Sequence, residues 1–536
     1  MSARHPPVLF AKVLVLAVWS IGPLAWLYFL CATVLQNRGR AAYIARVLFG
    51  NSALGSARMA QFRGLFRSRA LYLVSLTEVL FSLYYRYLNS TVQRPTPYPR
   101  SRERITQALS VAVAEGLAEE GAPVDDMLDC SRVPHRLPVF RKPLAADDAR
   151  AVEFRSDMSR WFRGREPDEV TLVEAREWAA WALYETAYDA LPALRPDDGM
   201  RPREFVDEAV ALFEQRRGMP FVKTAHGDAS VCAAPIMITM EPVQARFRPL
   251  GSYLAVHAVN ALLMRLWQRQ HGMRRLRAGD VEYLLVEPPG WSVDAAVRKE
   301  APPPLVFLHG LGIGLAEYVV TIRALLDPQR SPNPRPLLVP LQPWIGTGLF
   351  SRRFLKPWGP DEAASTVRRM CEQHGYDRCG VSVLSHSMGT IVHTWLLTRV
   401  PDLLQRSVLV DPVGVQLWMP HLTYRFLYKE AGSFIEYVLR YFVAHELGNA
   451  NMCRRHVNWS DCAVLPADIP RDPRHIRFYL AAEDTVFDAP AVQRSLARNG
   501  LRDATEFHKG LHHGELIMAP SAVFDRIVRD LDEPVL

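Results

Sequence analysis

From Val13 to Leu35 the chain carries no charged residue. At about 1.5 Å per helical residue such a run crosses a hydrocarbon core of about 30 Å. It exceeds the apolar stretch of about 7 to 15 residues in a cleaved signal peptide, and Trp26 and Tyr28 suit a membrane segment. A second apolar stretch, Leu71 to Leu88, has Glu78 near its middle and Arg86 near its end. A charge at mid-bilayer costs about 2.5–3.5 kcal/mol, so this stretch is expected to lie as an interfacial helix, with a second crossing as the alternative. Val92 to Arg100 is rich in Pro and basic residues and predicts a linker. Beyond it, Arg102–Glu120, Thr171–Asp189 and Pro202–Arg217 show helical spacing of apolar positions, and Ser252–Gln270 is an amphipathic helix ending at His271-Gly272.

The pattern then changes. Short β-rich runs alternate with longer helical ones: Val281–Val286, Leu305–Leu308, Leu337–Pro340, Val381–Leu384, Ser407–Val410, Ile476–Ala481 and Thr505–Phe507. Several are continuously apolar, as strands of a parallel sheet covered on both faces should be. The chain thus divides into an anchor (1–36), a membrane-proximal segment (37–100), a helical region (101–272) and an α/β domain (273–536).

With 536 residues, 49% hydrophobic and 22% charged, the composition excludes a single small module and a largely disordered chain. The net charge of +8 is unevenly placed. Between Gln36 and Ile105 stand twelve arginines, among them Arg58, Arg63 and Arg100, against Glu78 and Glu103, a balance of +10 that leaves the remainder slightly acidic. A basic collar beside an apolar helix points to a membrane surface and sets topology, so no nucleic-acid partner is expected. One uninterrupted apolar run predicts a single-pass membrane protein, and the positive-inside rule places its C-terminal part in the cytosol, with an endomembrane or lipid-droplet surface as candidate locations. Seven Cys without a C-x-x-C suit free thiols and no zinc pattern. The phosphate-cradling and dinucleotide glycine motifs do not occur, and no cofactor is expected.

In VSVLSHSMGT, Ser387 follows an apolar strand and precedes a helix beginning near Met388, with Gly389 two positions on. A nucleophile elbow needs a small residue there, because the sharp turn brings strand and helix together and exposes the hydroxyl. The first glycine of the usual G-x-S-x-G is replaced by Ser385. Upstream, the strand Leu305–Leu308 runs into His309-Gly310-Leu311-Gly312, a glycine-rich turn where a second oxyanion donor would stand. The N–H groups of Leu311 and Met388 are the expected pair.

From about Val281 to the C terminus the chain resembles the α/β-hydrolase superfamily, and most of all its membrane-anchored serine hydrolases of the lipase and esterase type. Besides HGLG and SHSMGT, the resemblance rests on Asp484 in YLAAEDTVFDAP and on His512-His513 in GLHHGELI, which keep the order Ser, Asp, His. It implies an α/β-hydrolase fold: a mostly parallel sheet with helices on both faces, a helical cap at about 413–472, and a transmembrane helix and helical region in front. In that reading His513, followed by Gly514, accepts the Ser387 proton, with His512 as the alternative, and Asp484 orients the ring. Asp411, after the strand that follows the nucleophile, is the rival acid, and Glu483 and Asp488 are local alternatives. His386 and His393 are expected to pack or support. A metal site at His508, His512, His513 and Glu515 lacks any ligand helix, and none is expected. The implied activity is cleavage of a carboxylic ester of an apolar or lipid-like substrate at a membrane, with membrane lipids and that ester as partners. Acyl transfer, thioester cleavage and a non-catalytic scaffold are the alternatives.

Overall fold

The computed structural model describes residues 7–36, 38–49, 64, 66–96, 101–117, 127–196, 199–223, 234–330 and 333–532. Arg58, Arg63 and Arg100 of the basic segment lie outside them. The charge-free run lies within one helix, Val8–Gln36, of which Val8–Leu35 is long and apolar enough to cross a membrane. The second apolar stretch is the helix Arg69–Thr91. It runs antiparallel to the first, with the Trp26 indole N–H donating to Ser82 Oγ at 2.8 Å and Tyr72 near Thr33.

Glu78 is not stranded on this helix. Both its carboxylate oxygens accept the Leu250 N–H at 3.1 Å, at the start of the helix Leu250–His271. A carboxylate at a helix N-terminus meets otherwise unpaired amides and the positive end of the dipole. Phe81 and Tyr85 carry the same contact onward, tilted or edge-on against Phe247, and the Tyr85 hydroxyl donates to the Arg246 carbonyl. Part of Arg69–Thr91 is thereby buried, while Leu71, Leu73, Val74, Leu80 and Leu83 remain exposed.

The α/β part is built on eight strands: β1 (Arg274–Ala278), β2 (Val281–Val286), β3 (Leu305–Leu308), β4 (Leu337–Pro340), β5 (Val381–His386), β6 (Leu404–Val410), β7 (Ile476–Ala481) and β8 (Thr505–His508). They lie in the order β1-β2-β4-β3-β5-β6-β7-β8. Only β2 is antiparallel, to both β1 and β4. Alternate residues of each strand serve opposite faces. Val306, Leu308, Val383 and Leu409 join one buried cluster, covered by the helices Pro360–Glu372, Gly389–Arg399 and Ala489–Arg498. Leu305, Phe307, Val408 and Tyr479 join the other, covered by Trp267, Ile322 and the C-terminal helix Ala522–Asp532. This is the α/β-hydrolase fold, a mostly parallel sheet with helices on both faces. Chain order reverses beside β3, so the carboxyl ends of β3 and β5 adjoin at the switch point where α/β sheets bind ligands.

The hairpin strand β1 is not predicted by the spacing, because Arg274, Arg275 and Arg277 give it a charged edge face on which Arg275 and Arg277 pair with Glu282. The helix Leu250–His271, grouped by sequence with the helical region, packs through Trp267 on the sheet. The helical region keeps its own core around Trp161, Trp178, Trp181 and Phe213, and adds a two-stranded ladder, Leu128–Asp129 with Val139–Phe140. After β6, the expected cap is a chain of short helical turns from Pro420 to Cys462.

Candidate active site

β5 ends at His386, and Ser387 adopts φ of +50°, a left-handed conformation that a side chain rarely takes. Its N–H donates to the Val410 carbonyl at 3.0 Å, and its own carbonyl accepts from the Thr390 N–H, which starts the following helix. Gly389 is required by contact: a Cβ there would lie 2.3 Å from the Leu308 carbonyl oxygen. Ser385, in the place of the first glycine, is fully buried, and its hydroxyl lies 2.7 Å from His393 Nδ1, whose Nε2 meets Ser407 Oγ at 2.9 Å. The departure from G-x-S-x-G therefore has a built-in partner, and His393 is a packing group held uncharged by burial, its pKa lowered to about 3.

The loop after β8 carries His513 to the elbow. Its Nε2 lies 2.9 Å from Ser387 Oγ and its Nδ1 2.5 Å from Asp484 Oδ2. Asp484 stands just past β7, its side chain fully buried, and Oδ1 accepts the N–H groups of Val486 at 2.6 Å and Phe487 at 3.1 Å. His512 points elsewhere: it is exposed, with Nδ1 at 3.0 Å from the Glu483 carbonyl.

Asp411 lies nearby but is otherwise engaged. It is fully buried; Oδ1 accepts the Ala481 N–H at 2.9 Å and Oδ2 the Gly514 N–H at 2.8 Å. It thus ties β6 to the end of β7 and to the histidine loop, where Gly514 has φ of +84°. Donor atoms of Asp411, Asp484 and His513 all fall within 4.8 Å of one another, a metal-sized grouping, but Asp484 and Asp411 already spend their oxygens on His513 and backbone amides. Asp488 caps the helix Ala489–Arg498 instead, and His508 pairs with Glu506 on β8.

At the end of β3 the amides of the turn are almost all taken. Gly310 N–H donates to the Tyr318 hydroxyl at 2.7 Å, Gly312 N–H to the Ile345 carbonyl at 2.8 Å, and Ile313 N–H to Glu317 at 2.5 Å. Among the described residues the Leu311 N–H has no acceptor, nor has that of Met388. His309 is buried and uncharged, its pKa lowered to about 4 by burial, and holds Gln342. Gly312 leaves room for the Glu317 carboxyl, which a Cβ would strike.

Sequence reasoning passed over three groups that brace this turn. Tyr318 bridges Gly310 N–H and His386 Nδ1. Thr347 donates to the Gly312 carbonyl at 2.8 Å. Asn260, on the helix Leu250–His271, donates to the Ile313 carbonyl at 2.8 Å and accepts the Ala316 N–H at 3.1 Å. A lone amide inside an apolar helical stretch was the available signal for Asn260.

Burial by itself would lower the pKa of His513. The Asp484 carboxylate in contact with it, and Asp411 beyond, outweigh that and raise it to about 9.

No protein-family model matches the sequence, and no curated protein matches it. Among solved structures the chain is similar to a membrane phospholipase A described as a bacterial virulence factor (15% identity, over 53% of this chain and 96% of that one, TM-score 0.34). It is also similar to a carboxylesterase from Bacillus subtilis (10%, 53% and 99%, TM-score 0.34) and to naproxen esterase from Bacillus subtilis (13%, 52% and 96%, TM-score 0.33).

Proposed function

We propose that this chain is a membrane-associated serine hydrolase that cleaves carboxylic esters of apolar, lipid-like substrates through an acyl-enzyme. The observation that carries the reading is the unbroken chain Asp484–His513–Ser387 at an elbow beside two unpaired amides. Ser387 Oγ attacks the ester carbonyl carbon while His513 Nε2 takes its proton. The oxygen that gains charge is met by the Leu311 and Met388 N–H groups. His513 returns the proton to the alkoxide, the alcohol departs, and an acyl-Ser387 ester remains. Water then attacks it with His513 again as base, releasing the acid and restoring the serine proton. Asp484 keeps the Nδ1–H tautomer and stabilises the imidazolium.

Thr485 and Val486, next to Asp484, line a cleft of about 370 Å³, its open mouth included, whose cap side is part apolar (Phe426, Leu439) and part charged (Arg425, Lys429, Glu430, Glu436, Arg440). The apolar substrate class is supported by the membrane helix that adjoins this cap. The cap helix Phe434–Leu439 meets the N-terminal apolar helix, Phe10 against Phe434 and Lys12 over Tyr437. An ester dissolved in a bilayer would thus be taken up beside the anchor. The arginines that follow the anchor favour a cytosolic position for the catalytic part.

Labelling with a fluorophosphonate tests the reading: the probe is expected to phosphonylate Ser387, located by peptide mapping. Label on a different residue, or none on folded protein, would overturn it. Two further results are expected. Because His513 must be neutral to act as base, kcat/KM for an uncharged ester should fall about tenfold per pH unit below the His513 pKa, which is raised to about 9. A rising limb centred near the ordinary histidine value would contradict this environment. Asn260→Ala should lower kcat by about ten- to a hundredfold with little change in KM, since it releases the turn that aims the Leu311 N–H; a change in KM alone would contradict that role.

A further inference from the structure

Among the described residues beyond position 240, seven large apolar side chains are exposed, and four of them, Leu254, Val259, Leu262 and Leu266, stand on the one helix Leu250–His271. A fifth, Phe350, lies edge-on to His257 of the same helix, with ring centroids 5.2 Å apart. Leu254, Ala258, Leu262 and Leu266 recur at four-residue intervals and so share one face, with Ala255 and Val259 beside them. The opposite face is spent inside the protein: Tyr253 and Trp267 are buried, and Asn260 holds the oxyanion turn. A contiguous apolar face left in solvent marks a surface that something else covers.

Position and charge say what covers it. The helix begins against the two N-terminal apolar helices: its Leu250 N–H donates to Glu78, and Gly22 of Val8–Gln36 faces Phe247 so closely that a Cβ would lie 2.6 Å from the ring. A medium that surrounds Val8–Gln36 therefore also reaches the first turns of Leu250–His271. Neither this helix nor the loop 346–356 that carries Phe350 contains an Asp or Glu. Arg265 and Arg269 take over the same face in its last two turns, and Arg352 and Lys356 follow Phe350; all four are exposed, and among the described residues none pairs with a carboxylate. Over about 22 Å, at about 1.5 Å per residue from Leu254 to Arg269, the face passes from leucine to arginine. That is the pattern of a helix that enters a bilayer obliquely, its apolar end among acyl chains and its guanidinium groups at the level of the headgroups. We infer that this face of Leu250–His271 docks into the surface of an anionic lipid bilayer, as a second membrane contact beside the N-terminal helix. The inference rests on membrane insertion of that helix and not on the chemistry at Ser387. Since Asn260 leaves the other side of the docked helix, the oxyanion turn stands about one helix diameter, about 10 Å, from the lipid.

The test uses the full chain reconstituted into vesicles of phosphatidylcholine and phosphatidylglycerol. The photoreactive residue p-benzoylphenylalanine replaces, one position at a time, Leu254, Leu262, Leu30 of the N-terminal helix, or Val297. Val297 is exposed on the short helix that follows β2, whose last residue pairs with the first residue of β4 at the end of the sheet away from Ser387. After irradiation, lipid adducts are mapped by peptide mass spectrometry. They are expected at positions 254 and 262 as at position 30, and absent at position 297. Arg265→Gln together with Arg269→Gln should reduce the adducts at position 262 by about fivefold or more, the scale set by basic residues at an anionic surface. Vesicles of phosphatidylcholine alone should do the same to the chain with both arginines. If the double variant fails to fold, as judged by its melting transition, that comparison of lipids still decides. Adducts at position 30 with none at 254 and 262 would overturn the inference, as would adducts at 297 equal to those at 262. Cross-links to a second copy of the chain in place of lipid would assign the face to an oligomer, and indifference to both the arginines and the anionic lipid would remove the bilayer surface as its partner. Absence of adducts at position 30 as well would overturn membrane insertion and docking together, while fluorophosphonate reaction reports on Ser387 alone, so failure of the catalytic reading is distinguishable from failure of this one.

Discussion

Ser387→Ala is expected to lower ester turnover by about a million-fold, the scale on which a serine nucleophile is lost, while the protein keeps its fold. The hydroxyl makes one side-chain hydrogen bond, to His513 Nε2, and Ala removes that and nothing else. Folding stability should therefore change by no more than about 1 kcal/mol. Ala also carries a Cβ, so it bears the same strained φ of +50° that Ser387 bears, and the elbow is kept. What survives is the catalysis due to the amides of Leu311 and Met388 and to binding, about a thousand- to ten-thousandfold over water in comparable sites. His513→Ala should cost nearly as much, and the double variant little more than either, because the two act as one unit. Initial rates on a p-nitrophenyl ester with a thermal melt of each variant check this. Turnover in Ser387→Ala within tenfold of wild type would remove the mechanism.

The residues on which this expectation rests differ in how far the sequence reveals them. Ser387 and Gly389 are legible because the elbow imposes a local demand, a small residue two positions past the hydroxyl, and local demands leave local patterns. The strands β3 and β4 are legible for a similar reason: burial on both faces requires continuous apolar runs. β1 escapes, since an edge strand can carry charge on its open face and Arg275 and Arg277 find their partner Glu282 only across the hairpin. Glu78 misleads in the other direction. In sequence it interrupts an apolar helix and counts against burial, yet its charge is met by the Leu250 N–H, 172 positions away. Asn260, Tyr318 and Thr347 belong to the same class: each braces the oxyanion turn from a distance the periodicity of the chain does not register. Asp411 and Asp484 are the sharpest case. Both are aspartates just past strands and each accepts two backbone amides; Asp411 takes one on each oxygen, whereas Asp484 takes both on Oδ1 and leaves Oδ2 to His513.

That placement yields the second expectation. Asp484→Asn should lower kcat by about ten-thousandfold, the loss seen when the acid of such a triad becomes an amide. An Asn side chain can still accept the Val486 and Phe487 N–H groups through its oxygen, so the loop keeps its shape. It then turns its NH₂ toward His513 Nδ1, which must accept rather than donate. The ring proton is driven to Nε2, facing Ser387, and the base is lost in place. The carboxylate that raises the His513 pKa goes with it, so the residual activity should have its rising pH limb moved down from about 9 toward the ordinary histidine value of about 6.5. Asp411→Asn should behave otherwise. Both Asp411 oxygens accept backbone amides, from Ala481 and Gly514, and an amide side chain can satisfy only one. The expected cost is therefore one buried N–H left without an acceptor, about 1–3 kcal/mol of stability, with kcat reduced by far less than in Asp484→Asn. Steady-state kinetics beside thermal melts of the two variants separate the cases: the larger kcat loss in Asp411→Asn, with Asp484→Asn affecting mainly stability, would transfer the acid's role to Asp411.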